Sequence, residues 1–217
     1  VGQTAVEAPF LAASYGHVIT YGQSLSVGAS ATPPISTSQP FNALMFNGGI
    51  RTSYPQASRT SLVPLVEQDD GAGSGETPSA GTAQAINERL IAGGVDLTNL
   101  RLILSAPGVG GKTAAELSKG STYYANLVAD VAAASSLASA AGRSYSLQCV
   151  TYTQGENDEG ARTPRATWKA QLRAMLTDIT ADARSVTGQV HAPFMVMYQM
   201  ASYYRCSGQT YPEIAMG

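Results

Sequence analysis

The segment Tyr21-Gly-Gln-Ser-Leu-Ser-Val-Gly28 leaves a small hydroxyl, Ser24, in a glycine-bracketed turn directly after an apolar run. A serine so placed at the carboxyl end of a strand sits at the edge where ligand chemistry collects in open α/β sheets. The turn is not the G-x-S-x-G elbow, because Ser26 stands where the second glycine belongs. Taken alone, the motif fits an inert turn serine equally well. Two further segments change its meaning. Pro107-Gly-Val-Gly-Gly-Lys-Thr113 is a glycine loop able to present backbone N–H groups to an anion. Gln154-Gly-Glu-Asn-Asp158 crowds polar side chains at the end of another apolar run. A nucleophile, a backbone donor and a side-chain amide are the parts of an acyl-transfer site, where charge developing on a carbonyl oxygen must be met by fixed dipoles.

The glycine loop has a second reading. Ala106-Pro-Gly-Val-Gly-Gly-Lys-Thr113 fits a nucleotide-binding P-loop if alanine is allowed at its first glycine. Such a site needs a second strand ending in Asp to hold Mg²⁺. The other strand ends read Thr151-Tyr-Thr-Gln154 and Tyr198-Gln-Met200, without one. A third reading, a glycan-binding or virion domain that keeps a hydrolase fold without turnover, stays open.

To bring these three segments together, the chain must place three strands side by side and pointing one way. Five apolar runs predict strands: His17–Tyr21, Ala43–Phe46, Leu100–Leu104, Tyr145–Tyr152 and Phe194–Tyr198. Between them lie helical stripes. Ala83, Ile86 and Leu90 follow Pro78 and stop at Gly93-Gly94, a proline-in, glycine-out signature. Leu127, Val131, Ala134 and Leu137 run up to Gly142, and Trp168, Leu172, Met175, Ile179, Ala183 and Val186 run up to Gly188. Strands alternating with helices predict an α/β fold with a parallel sheet of about five strands in a single domain over residues 1–217. Ala31–Pro40 and Asp69–Gly75 read as loops, and Trp168 as a packing residue.

Composition narrows the partners. Only 13% of residues are charged and the net charge is −2, so there is no basic field for nucleic acid. No apolar run approaches the roughly 20 residues that span a bilayer. Two cysteines, Cys149 and Cys206, are too few for a disulfide framework or a metal site, and Cys149 reads as a buried thiol. Low charge with much Ala, Ser, Thr and Gly suggests an extracellular or virion-associated protein. Neither metal nor organic cofactor is expected.

Gly22-Gln-Ser24, Gly110-Gly111 and Gln154-Gly-Glu-x-Asp158, in that order and spacing, resemble the SGNH (GDSL-like) hydrolase superfamily, in particular its acetylxylan esterase and sialate O-acetylesterase branch. The resemblance implies a flavodoxin-like three-layer α/β/α fold and a serine esterase acting on small acyl esters, acetyl groups on carbohydrate above all. It makes Ser24 the nucleophile. Its own N–H and that of Gly111, with Gly110 as the alternative, become oxyanion donors. For the third donor the general G-x-N-D form nominates Asn157, and the Q-G-E-x-D form nominates Gln154. Gln23, Glu156 and Asp158 become supporting residues. Loop Ala31–Pro40, the Glu76-Thr-Pro78 turn and Tyr203-Tyr204 are candidates for lining a sugar site.

The family's Asp and His occur together in a D-x-x-H block near the C-terminus, and this sequence has none. Its two histidines, His17 and His191, fall at or before strand starts, the edge opposite Ser24, and read as strand-flanking surface or packing residues. The expectation is therefore that the catalytic Asp and His are not in this chain. It would be cut before that block, whose segment would act covalently or as a second chain.

Overall fold

The computed structural model describes residues 13–53, 57–200 and 214. The strands are β1 (Tyr15–Gly22), β2 (Leu44–Phe46), β3 (Leu62–Pro64), β4 (Arg101–Ser105), β5 (Tyr145–Thr153) and β6 (Phe194–Met197). Helices α1 (Pro78–Ala92), α2 (Thr122–Ala140), α3 (Glu156–Gly160) and α4 (Arg165–Thr187) stand among them. All six strands form one sheet in the order β3-β2-β4-β1-β5-β6. Five run parallel and β3 pairs antiparallel with β2. The five expected strands are present, and β3 is an addition. Half-buried Leu62 and Val63 followed by exposed Pro64 at the sheet edge carry no periodic apolar signal.

Strand β1 lies between β4 and β5, and Val18, Ile19 and Tyr21 are buried on its two faces. That is why its sequence reads as a continuous apolar run. The chain leaves β1 for the β2 side, returns to insert β4, then crosses to β5 on the other side. The order thus reverses at β1, and the crevice beyond its carboxyl end is where α/β sheets bind ligands. Gly22 pairs with Thr153 at the end of β5, which brings Ser24 level with Gln154.

Helices α2 and α4 cover one face, packing Leu127, Val131, Leu172, Met175 and Ile179 against Ile19, Val150 and Tyr152. Ala83 and Ile86 of α1 cover the other, over Val18, Leu102 and Leu104. Full burial of each large side chain contributes about 1.5–3 kcal/mol. Local signals set the helix ends. Thr77 accepts the Ser79 N–H at 3.1 Å just before Pro78, and the Glu67 carboxylate accepts from Thr77 and Ala80 N–H. Helix α2 starts before its apolar stripe because Ser121 caps it, accepting the Tyr124 N–H at 3.0 Å.

His17 departs from the sequence reading in one respect. Strand β1 begins two residues earlier than expected, so His17 lies inside it and is wholly buried. It is a packing residue, not a surface one. His191 is exposed, in the connection between α4 and β6. Cys149 is a buried free thiol whose pKa burial pushes up to about 11. Cys206 lies outside the described residues.

Candidate active site

Ser24 opens a single 3-10 turn, Ser24–Val27, immediately after β1 and Gln23. The turn is fixed from below. Gln23 is buried; its N–H donates to Thr153 O at 2.9 Å, and its carbonyl accepts both the N–H and the hydroxyl of Ser26, at 2.9 and 2.6 Å. Gly22 takes φ +136°, where a Cβ would stand 2.0 Å from Thr153 O, so only glycine lets β1 turn there against β5. Among the described residues neither the hydroxyl nor the N–H of Ser24 has a hydrogen-bond partner.

The glycine loop is threaded against this turn. Val109 N–H donates to Gly22 O at 2.9 Å, and Gly108 fits so closely that a Cβ would lie 2.0 Å from Ser26 Oγ. A Cβ on Gly110 would be 3.6 Å from Ser24 Cβ, so Gly110 is the glycine beside the serine. Gly111 is exposed at φ +74° with open space around it. The structure therefore puts Gly110, rather than Gly111, against Ser24. Its N–H also has no acceptor among the described residues.

The third segment fastens that loop. Gln154 is wholly buried; its amide donates to Lys112 O at 2.6 Å and accepts from Gly155 N–H at 2.5 Å. Asp158, also buried, accepts from Ala114 N–H at 2.7 Å and from the Thr163 hydroxyl at 3.0 Å. Loss of water raises its pKa, against those hydrogen bonds. Glu156 accepts from the Gln23 amide at 2.5 Å and from the Tyr198 hydroxyl, joining the Ser24 turn to α3 and the end of β6. Asn157 is half-buried on α3, with no side-chain hydrogen bond among the described residues. Of the two rival amides, Gln154 is engaged in holding the loop and Asn157 is not.

The P-loop geometry does not form. A phosphate-binding loop opens directly into a helix through its Lys-Thr pair. Here turns follow Thr113, α2 waits until Thr122, and Lys112 and Thr113 both bond to Glu116, at 3.2 and 2.9 Å.

Above Ser24 lies a cavity of about 520 Å³, within the range of small-molecule sites. Ser24, Gly108 and Gly110 line it together with segments the sequence reading left aside: Gly48–Arg51 and Ser53, Gln68–Asp70 and, from the first turn of α2, Thr122, Tyr123 and Asn126. The Gly120-Ser121 pair ahead of Thr122 was the signal for that helix start. Loop Ala31–Pro40 and Glu76-Thr-Pro78 contribute no lining residues. Glu76 instead ties the loop down through Ile35 and Ser36 N–H. Tyr203-Tyr204 lie outside the described residues.

The wall opposite Ser24 hangs on α2. Asn126 donates to Ser53 O at 2.5 Å, the Ser53 hydroxyl donates to Gly108 O, and Asp130 accepts from Thr52 Oγ1 and Arg59 Nε, each at 2.5 Å. Behind the wall, His17 Nε2 is hydrogen-bonded with the Ser105 hydroxyl at 3.0 Å and His17 Nδ1 with the Tyr145 hydroxyl at 2.8 Å. Burial holds this neutral imidazole at about 3. His17 precedes the end of β1 by five strand residues, which at about 3.3 Å each puts it roughly 15–20 Å from Ser24. His191 flanks the same distant edge. Neither is within the roughly 3 Å reach a general base needs.

No family model matches this sequence, and no curated protein matches it. Solved structures do resemble the fold. A protein from Arabidopsis thaliana of known X-ray structure shares 17% identity over 92% of this chain and 78% of its own, with a TM-score of 0.62. NanS shares 15% identity over 93% of this chain and 72% of its own, with a TM-score of 0.60. The chain thus shares the α/β fold of these two structures, a mostly parallel six-stranded sheet flanked by helices, over more than nine-tenths of its length.

Proposed function

We propose that this protein is a serine esterase that removes small acyl groups, acetyl above all, from carbohydrate. One observation carries the reading: among the described residues the Ser24 hydroxyl and the N–H groups of Ser24 and Gly110 have no hydrogen-bond partner, and both residues line one cavity. Ser24 Oγ gives its proton to a base and attacks the ester carbonyl carbon. The oxyanion is met by the two N–H groups and the Asn157 amide. The alcohol departs with the proton, leaving an acyl-enzyme that water hydrolyses to the free acid. Gln23, Gln154, Glu156 and Asp158 are positioning residues that hold the turn and the loop.

Because neither His17 nor His191 is placed to serve Ser24, the proposal assigns the His base and its Asp to residues outside these 217. An extracellular or virion setting, where glycan esters are met, belongs to the same reading. Among the described residues no helix is long and apolar enough to cross a membrane. A second reading is favoured by the distance of both histidines: a glycan-binding domain that keeps the fold and turns nothing over.

Acetate release from acetylated xylan oligosaccharides separates the two, measured with the chain as it stands and with a form extended along its gene. The esterase reading expects turnover in the extended form, falling at least about 10³-fold in Ser24→Ala. Binding without turnover in both forms would sink it.

A further inference from the structure

The geometry points to the first turn of α2 as the platform that receives the alcohol half of the ester, with an uncharged sugar as that alcohol. This rests on the esterase reading for its orientation and on the cavity for its chemistry. Thr122, Tyr123 and Asn126 occupy adjacent positions of one helical turn, and all three line the cavity that holds Ser24. Tyr123 is the aromatic side chain among the described lining residues. Its ring is held by Lys112, whose Nζ sits 5.4 Å from the ring centroid and is itself paired with Glu116 at 3.2 Å. A fixed aromatic face is what a sugar ring packs against, burying C–H surface while its hydroxyls point outward.

Partners for those hydroxyls stand beside it. The Asn126 amide uses one N–H on Ser53 O, which leaves its carbonyl and second N–H for a ligand. Donors and acceptors around an aromatic face suit a polyhydroxylated ring, whereas a purely aliphatic alcohol would leave them unpaired.

Charge decides which sugar. Among the described residues the lining carries two carboxylates, Asp69 and Asp70, against a single guanidinium, Arg51. Arg51 donates to the backbone carbonyls of Val27 and Gln68, at 2.8 and 2.7 Å, and to that of Gly75, so three of its five N–H donors tie three loops together. A sugar acid entering this cleft meets two carboxylates against one guanidinium already bonded to three carbonyls, a net negative charge that opposes its own. A neutral pentose or hexose meets no such barrier.

The test measures binding, by calorimetric titration of Ser24→Ala protein with a neutral O-acetylated xylobioside and with the O-acetyl ester of a sialic acid. The neutral ester is expected to bind at least about tenfold more tightly, a preference that Asp69→Asn with Asp70→Asn narrows. Tyr123→Ala is expected to weaken the neutral ester about tenfold, equivalent to roughly 1.4 kcal/mol, while Tyr123→Phe keeps the ring and the affinity. Melting curves of both variants confirm that the fold survives. Equal or tighter binding of the sialic acid ester, no binding of either, or an unchanged affinity in Tyr123→Ala overturns the inference. Ser24-dependent hydrolysis of p-nitrophenyl acetate by the extended form is read separately. Its absence alongside intact Tyr123-dependent binding defeats the esterase reading and leaves the sugar platform standing.

Discussion

Replacing Asp130 by Asn removes the carboxylate on which the wall of the cleft converges, and the outcome follows from two opposed effects. Burial takes a wholly enclosed carboxylate out of water and raises its pKa; Arg59 Nε at 2.5 Å, with hydrogen bonds from Thr52 and Ser105, lowers it. His17 and Tyr145 stand behind Ser105 and supply no cation, since the imidazole is neutral above about 3. Desolvation wins, and Asp130 is pushed up from 3.8 to about 6. At about 1.36 kcal/mol per pKa unit, ionising it costs the native state about 3 kcal/mol at neutral pH. The folded carboxyl binds its proton more tightly than the unfolded one. Its contribution is therefore fully present below the unfolded value of about 3.8 and is lost as pH rises through about 6. Urea unfolding followed by the fluorescence of the buried Trp168 measures this in wild type and Asp130→Asn across pH. Groups common to both cancel in the difference. The stability of wild type relative to the variant is expected to fall by about 2 kcal/mol between pH 4.5 and 6.5, close to 1 M in urea midpoint. A difference that stays constant, or grows with pH, would mean that attraction to Arg59 outweighs desolvation, and the reasoning would fail.

Three other substitutions probe the site's construction. Gly108→Ala must displace Ser26 Oγ, 2.0 Å from the new methyl, and Gly22 O at 2.7 Å, so thermal melting should show a marked loss of stability. Gly110→Ala meets only an ordinary 3.6 Å contact with Ser24 and should melt within about 2 °C of wild type, while the methyl beside the nucleophile lowers ester turnover about tenfold or more. Gln154→Ala frees two loop hydrogen bonds and should cost about 1–3 kcal/mol in urea unfolding. Asn157→Ala should leave stability within about 0.5 kcal/mol and cut kcat about 10²-fold; the reverse pattern for the two amides would make Gln154 the oxyanion donor.

Much of this architecture is legible in the sequence because the central strands are buried on both faces and the helices carry strong apolar periods. Val18, Ile19 and Tyr21, or Leu172, Met175 and Ile179, announce themselves by spacing alone. What sequence reasoning loses is set by tertiary context. The edge strand β3 has no periodic signal, and the start of α2 depends on the Ser121 cap rather than on apolar residues, so Tyr123 and Asn126 went unremarked. Choosing between Gly110 and Gly111 requires knowing which lies 3.6 Å from the serine, and no motif encodes that distance. Gln154 and Asn157 look equivalent as amides until the first is seen fastened to Lys112 O. His17 reads as flanking because the strand's first two residues, Tyr15 and Gly16, lie outside the apolar run.

The central claim is that Ser24 is an activated nucleophile, and covalent labelling tests it most directly. The form extended along its gene is treated with a fluorophosphonate, digested, and mapped by mass spectrometry. The account predicts a single phosphonyl adduct on Ser24, with labelling reduced about tenfold or more in Gly110→Ala and absent in Ser24→Ala. An adduct on another serine, or equal labelling of wild type and Ser24→Ala, would contradict it.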